Sequence, residues 1–147
     1  MPVRLGARWL LLAFLATPLA AQTPPPAPVA EEASVRTTIN EYLHGLKFND
    51  IRSFERTFTP DARLMFINRS GQIGQLTQSE WYRGFASVAG KEEPGEFEVL
   101  AIDITGNAAS VKVRETYPKS VYVNYLSLLK VGTEWKIVNK IYTSRPR

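Results

Sequence analysis

The sequence predicts an α+β domain in which three N-terminal helices pack on a curved, mostly antiparallel sheet. Four consecutive strand patterns between Glu96 and Tyr142 supply most of the sheet, and three segments with helical periodicity precede them. A chain of 147 residues fits one domain of this kind. Helices laid across a curved sheet form an open cone, so the predicted fold is also a container for a small molecule.

The first 21 residues are predicted to be a secretory signal peptide. Arg4 and Arg8 precede an apolar run over residues 9–15, and small residues end the segment before Gln22. The run is far shorter than the roughly 20 residues that span a bilayer, which favours a cleaved signal over a retained anchor. The chain has no cysteine, so it has neither a lipid-modified thiol nor a disulfide. We therefore expect an exported bacterial protein, periplasmic or secreted, without a membrane anchor after cleavage.

Residues 22–31 are predicted to be a proline-rich linker, and residues 32–144 the folded domain. Four prolines fall between Thr23 and Ala30, and proline favours an extended spacer because it fixes φ and lacks a backbone donor. Loss of Arg4 and Arg8 with the signal lowers the formal charge from +4 to +2. So mildly basic a chain gives no indication of nucleic-acid binding.

Periodicity and capping patterns predict where the helices lie. The first runs from about Glu31 to Lys47, because apolar residues recur along it at intervals of three and four. Asp50 is predicted to cap a second, short helix that ends before Pro60, since the residue before proline resists helical geometry. Thr77 and Glu80 form the pattern of a capping box that opens a third helix. The apolar positions are Val35, Ile39, Tyr42 and Leu46 on the first helix, and Trp81, Phe85 and Val88 on the third.

Alternation of apolar and polar residues predicts the strands. Residues 63–68 form a short apolar strand, and Gly71 and Gly74 bracket the turn that follows. Residues 90–95 form a charged loop before the main sheet, whose long third strand spans residues 121–131. The positions predicted to share a face are Phe97, Val99 and Ala101 on its first strand, Ala109, Val111, Val113, Glu115 and Tyr117 on its second, and Trp135, Ile137, Asn139 and Ile141 on its fourth.

Four segments carry a family resemblance: Phe58–Leu64, Ile104–Ala109, Tyr125–Lys130 and Trp135–Lys140. With the element order α-α-β-α-β-β-β-β, the chain resembles the nuclear transport factor 2-like (NTF2-like) superfamily, which includes SnoaL-like and ketosteroid-isomerase-like proteins. Within it, residues 32–144 are similar to the group labelled putative lumazine-binding. The resemblance implies the α+β cone but leaves the activity open, because this superfamily carries many activities.

Glu115 is the candidate catalytic residue with the clearest pattern. Alternation places it on the face of Val111 and Val113, where an unpaired carboxylate is costly and its pKa tends to rise. Such an environment suits a general base that works near neutral pH. The alternative is that Glu115 lies at the open rim, where the strand leaves the core and meets solvent.

Tyr42, Tyr117 and Tyr125 are the candidate hydroxyl donors to a ligand oxygen. The resemblance implies that Tyr42 stands where superfamily isomerases place a donor to the developing oxyanion. Those isomerases carry their base on the strand after the second helix, but residues 64–67 contain no acid, which counts against this activity. His44 is the only histidine, and at about 200° from Tyr42 around the helix it is expected to face solvent or the rim.

Aromatic side chains are predicted to line or fill the cone. If they ring it, they form a wall on which a planar or otherwise apolar ligand can stack. The candidate ligand-binding residues are Tyr42, Leu46, Phe66, Trp81, Phe85, Glu115, Tyr117 and Tyr125.

These observations favour a non-enzymatic module that binds a small apolar or planar molecule, or that acts through protein interactions. The alternative is a small acid–base enzyme, isomerase-like or dehydratase-like, with Glu115 as base and a tyrosine as donor. No metal or other cofactor is predicted, because one histidine, no cysteine and scattered acids supply no ligand cluster. A homodimer is expected through the sheet, on the face of its long strand that carries Tyr122, Asn124, Leu126 and Leu128.

Overall fold

The structure is a computed structural model that describes residues 28–147. The predicted signal peptide and residues 22–27 of the predicted linker lie outside the described residues. The helices are α1 (Pro28–Phe48), α2 (Ile51–Thr57) and α3 (Gln78–Tyr82), and a 3₁₀ turn over Arg83–Phe85 follows α3. The strands are β1 (Phe58–Ile67), β2 (Ile73–Thr77), β3 (Glu96–Thr105), β4 (Ala108–Thr116), β5 (Ser120–Val131) and β6 (Glu134–Pro146).

The six strands form one curved sheet in the order β2-β1-β6-β5-β4-β3. Neighbouring strands are antiparallel except for β1 and β6, which run parallel. Three helices pack on one face of this sheet, so the predicted α+β cone with a mostly antiparallel sheet is confirmed. No helix within residues 28–147 is both long enough and apolar enough to cross a membrane.

The predicted helices are present, with altered ends. α1 begins at Pro28, three residues before the predicted start, because proline is tolerated in a first helical turn. Asp50 caps α2 as predicted, its carboxylate accepting from the Arg52 backbone N–H. The predicted capping box of Thr77 and Glu80 is also present, but α3 ends at Tyr82.

The strand predicted at residues 63–68 is longer than its apolar run. β1 begins at Phe58 and includes Pro60, which lacks a donor and falls where the pairing with β6 shifts register between Phe58 and Arg63. The predicted turn between Gly71 and Gly74 is instead partly a strand, because Gly74 lies in β2 opposite Phe66. A Cβ on Gly74 would come within 2.7 Å of the Phe66 ring, so any larger residue there would force that ring to move.

Two β-bulges change the predicted faces of the outer strands. In β3 the extra residue is Leu100, so Val99 and Ile102 point to the core while Ala101 is exposed. In β6 the extra residue is Val138, because Ser127 and Leu128 of β5 pair with Asn139 and Ile137. A strand that carries one extra residue reverses the side on which every later side chain lies. The predicted common face of Trp135, Ile137, Asn139 and Ile141 is therefore wrong beyond Ile137: Lys140 is buried and Ile141 is exposed.

The core lies between the helices and the inner face of the sheet. Asn124, Leu126 and Leu128 are buried there, so the prediction that this face of β5 forms a dimer interface is wrong. The reason is that the helices cover it. The opposite, outer face carries exposed apolar residues, namely Ile67, Ile73, Tyr125, Leu129, Val131 and Ile141.

Candidate functional site

The inner face of the sheet and the C-terminal end of α1 line an open cavity of about 550 Å³. Trp81 of α3 and Phe85 of the 3₁₀ turn form an aromatic side, and Tyr122 and Tyr142 come from β5 and β6. Its size falls within the usual range for small-molecule pockets. The lining residues are Leu46, Asn49, Trp81, Phe85, Glu93, Pro94, Glu115, Tyr117, Pro118, Lys119, Ser120, Tyr122, Lys140 and Tyr142.

The structure brings most of the predicted pocket residues to this cavity. Leu46, Trp81, Phe85, Glu115 and Tyr117 line it directly. The Tyr42 side chain is fully buried in the layer behind Glu115, so it acts on the cavity only through its hydrogen-bond partners Glu115 and Lys140.

Phe66 and Tyr125 do not belong to the cavity, and their assignment to it was wrong. The Phe66 ring covers Gly74 and stacks on Tyr142 with the ring centroids 5.2 Å apart. Tyr125 is 43% exposed on the outer face of the sheet, since alternation along β5 points Asn124 and Leu126 inward. Both rings border a separate apolar groove of about 350 Å³ instead.

Glu115 is buried on the cavity wall, with 4% of its surface exposed, so its predicted inward position was right and the rim alternative was not. Its Oε1 accepts hydrogen bonds from the Tyr42 hydroxyl and from Asn124 Nδ2, both at 2.8 Å. Its Oε2 accepts from the Tyr117 hydroxyl at 3.2 Å. These three donors, with the nearby Lys140, compensate the cost of burying the charge. We call Tyr42, Glu115, Tyr117, Asn124 and Lys140 the polar cluster.

Lys140 is the functional candidate that the sequence analysis missed. It is 4% exposed, and its Nζ lies 3.6 Å from Glu115 Oε1 and donates a hydrogen bond to the Tyr42 hydroxyl at 2.8 Å. Burial lowers the pKa of Lys140, and the neighbouring Glu115 charge partly opposes that shift. The lysine is turned inward by the bulge at Val138, and strict alternation could not reveal it.

The tyrosine hydroxyls of the polar cluster are held as neutral donors. Burial, followed by the Glu115 charge, raises the pKa of Tyr42 well above its ordinary value. The same two causes, in the same order, raise the pKa of Tyr117. Each phenol therefore keeps its proton and donates it in a hydrogen bond to the carboxylate.

The remaining predicted candidates lie apart from the polar cluster. His44 is about half exposed, and its Nδ1 lies 3.2 Å from Ser53 Oγ on the helix side, away from the cavity lining. Within the described residues 28–147, no three histidine, cysteine or acidic side chains converge as a metal site.

A curved sheet covered by helices, with a cavity against its inner face, defines the NTF2-like class of proteins. Solved structures show the same fold. An NTF2-like protein of unknown function from Shewanella baltica aligns with a TM-score of 0.75 and 22% identity, over 82% of this chain and 98% of that one. An NTF-2 like protein of unknown function from Silicibacter pomeroyi aligns with a TM-score of 0.72 and 18% identity, over 81% and 99%. A ketosteroid isomerase-like protein from Erwinia carotovora atroseptica aligns with a TM-score of 0.59 and 19% identity, over 78% of this chain and 95% of that one.

Within this class, the chain belongs to the family described as "Putative lumazine-binding", which it matches over residues 30–143. The resemblance predicted from the sequence is therefore confirmed at the level of superfamily and family. No curated protein matches the chain. The similarity to solved structures is below 25% identity, so it establishes the fold and leaves the function to the site itself.

Proposed function

We propose that this protein is a non-enzymatic binding module that takes a small planar or apolar molecule into its cone. The observation that carries the proposal is the cavity of about 550 Å³, whose walls carry aromatic side chains and three members of the polar cluster, Glu115, Tyr117 and Lys140. Apolar walls with a few placed polar groups are typical of small-molecule sites. Membership of the family described as "Putative lumazine-binding" also supports a small ligand.

The hydrogen bonding of Glu115 supports binding over acid–base catalysis. A general base must have a free lone pair directed at the proton it removes. Three donors already take three of the four lone pairs of this carboxylate, and Lys140 stabilises its charge. These hydrogen bonds fix the shape and polarity of this part of the cavity wall.

Titration with Nile red, a neutral apolar dye, tests the binding function. We expect a saturable rise in dye emission for the wild type. Ser120→Trp places a large ring at a cavity-lining position of β5 and should abolish the signal. Ser127→Trp makes the same change on the exposed outer face of that strand and should leave binding unchanged. Equal signals from both variants, or no saturable signal from the wild type, would contradict the proposal.

A second candidate function is an acid–base enzyme with Glu115 as its base. The observation that favours it is that Glu115 Oε2, on the cavity wall, accepts only the Tyr117 hydrogen bond among the described residues. Its test is exchange of the α-protons of 2-tetralone with D₂O, followed by NMR. Acceleration by the wild type that is lost in Glu115→Gln, while the circular dichroism spectrum of that variant stays native, would establish this function, and equal rates for the two would reject it.

We also propose that the protein is exported and forms a homodimer through its sheet. Export is supported by the layout of residues 1–21. Protein recovered from the exported fraction with the intact mass of residues 22–147 would establish it. Dimerisation is supported by the exposed apolar residues of the outer face, including Tyr125 and Ile141. Such a dimer leaves the cavity on the opposite face accessible.

A further inference from the structure

The polar cluster has an unused hydrogen-bond donor at the cavity wall. Lys140 Nζ carries up to three protons, and its hydrogen bond within the cluster goes to the Tyr42 hydroxyl at 2.8 Å. Glu115 Oε1, at 3.6 Å, is an ion-pair partner beyond hydrogen-bonding distance. No other acceptor among residues 28–147 accepts a hydrogen bond from Lys140 Nζ. A ligand oxygen in the cavity can supply the missing acceptor.

Aromatic rings surround the same nitrogen. Lys140 Nζ lies 4.9 Å from the centroid of the Trp81 ring and 5.5 Å from that of Tyr142. Both residues line the cavity, as Lys140 does. A planar molecule packed against either of these rings would bring its edge next to Nζ, so one ligand can satisfy both features.

Glu115 determines which kind of oxygen fits. Its carboxylate already lies 3.6 Å from Lys140 Nζ, so an anionic ligand oxygen on that nitrogen would stand close to a like charge. Repulsion between like charges is strong where water is excluded. A neutral carbonyl oxygen accepts the same charge-assisted hydrogen bond without this repulsion.

We propose that Lys140 is the specificity-determining residue of the cavity, and that the ligand is a planar, largely apolar molecule with a neutral carbonyl oxygen. The oxygen lies against Lys140 Nζ and the ring body lies on the aromatic wall. This inference rests on the proposed binding function and adds to it the chemical class of the ligand.

Three probes of matched shape test the ligand class. 2-Acetylnaphthalene offers a neutral carbonyl, 2-isopropenylnaphthalene replaces the oxygen by a methylene group, and 2-naphthoate offers an anion. Equilibrium dialysis gives each Kd under one buffer condition. We expect the ketone to bind about tenfold more tightly than the alkene, as one hydrogen bond to a charged donor provides. The naphthoate should bind more weakly than the ketone.

Two variants test the role of Lys140. Lys140→Met should reduce the ketone-to-alkene ratio to about one. The double variant Lys140→Met/Glu115→Gln leaves no lone charge in the core, so it guards against unfolding and should give the same ratio. Lys112→Met is the matched control, because Lys112 Nζ lies over the Tyr125 ring at 5.3 Å on the outer face. It should keep the wild-type ratio.

The outcomes separate this inference from the function on which it rests. If the ketone and the alkene bind the wild type equally, Lys140 does not select a carbonyl, although the cavity still binds planar molecules. If naphthoate binds most tightly, the ligand class is anionic and the inference is wrong. If none of the three probes saturates, both the inference and the proposed binding function are overturned.

Discussion

Two opposite charges, Glu115 and Lys140, lie in the core with 4% of each residue exposed. Such a pair loses solvation that its mutual attraction repays only when further hydrogen bonds are present. Tyr42 supplies them on both sides, because its hydroxyl donates to Glu115 and accepts from Lys140. The three side chains therefore act as one unit, and removal of one charge leaves the other without compensation.

Glu115→Gln should destabilise the protein by about 3–5 kcal/mol, the usual cost of breaking a buried ion pair from one side. Urea denaturation measures the change in the free energy of unfolding. Glu98→Gln is the matched control, since Glu98 pairs with Arg114 at 2.6 Å but both side chains are substantially exposed. It should cost less than about 1 kcal/mol. Equal losses in the two variants would show that the buried pair has no special energetic role.

Tyr117 predicts how the stability changes in alkali. Because burial and the Glu115 charge raise its pKa, the folded protein keeps this proton when the unfolded chain, above about pH 10, has lost it. The folded state then binds more protons, so the contribution of Tyr117 is complete below pH 10 and is lost as pH rises above it. In Tyr117→Phe, the decline of the free energy of unfolding above about pH 10.5 should be shallower by about 1.4 kcal/mol per pH unit.

Urea titrations at constant ionic strength between about pH 9 and 12 measure this slope. Tyr125→Phe is the control, because it removes an exposed phenol from the other face of the sheet. Its slope should match that of the wild type. A Tyr117→Phe slope that coincides with both would contradict the assigned role of this hydroxyl.

At the scale of elements, the strands show which parts of the site a sequence can predict. Alternation is unbroken along β4, so it placed Glu115 on the inner face correctly. It failed on β6, where Val138 is an extra residue and Lys140 turns inward instead of Ile141. A bulge is specified by pairing with neighbouring strands, and a single-strand pattern does not contain that information. The missed strand β2 has a similar cause. Gly74 lies opposite Phe66, whose ring covers it, and this contact with β1 is not visible in the pattern of β2 alone.

Deletion of Val138 tests the bulge. Without it, β6 regains strict alternation, with Trp135, Ile137 and Lys140 still on the inner face. We expect a loss of about 1–3 kcal/mol in the free energy of unfolding and retained Nile red binding. Deletion of Lys136 is the control, because it turns Trp135, which is 2% exposed, to the outer face. The free energy of unfolding of that variant should fall by at least about 3 kcal/mol. Equal losses in the two deletion variants would contradict the bulge assignment.

At the scale of the whole molecule, the sheet divides two roles between its faces. The inner face carries the cavity and the polar cluster, whereas the outer face exposes apolar side chains and has no helix packed on it within residues 28–147. The general shape was predictable from the order of helices and strands. The assignment of faces on β5 was not, because Leu126 and Leu129 are equally apolar and only the packing of the helical layer and the core on one face decides which one is covered.

The proposed dimer makes a prediction at this scale. Ile141 is 47% exposed within the outer apolar face, so Ile141→Lys places a charge at the centre of the proposed interface. We expect light scattering at micromolar concentration to give a dimer for the wild type and a monomer for this variant. Leu100→Lys, at the bulge of edge strand β3, makes the same change away from this patch and should remain dimeric. A monomeric wild type would remove the dimer proposal, and dimers in both variants would place the interface elsewhere.

Because the cavity lies on the opposite face, Ile141→Lys should bind Nile red as the wild type does, which separates assembly from ligand binding.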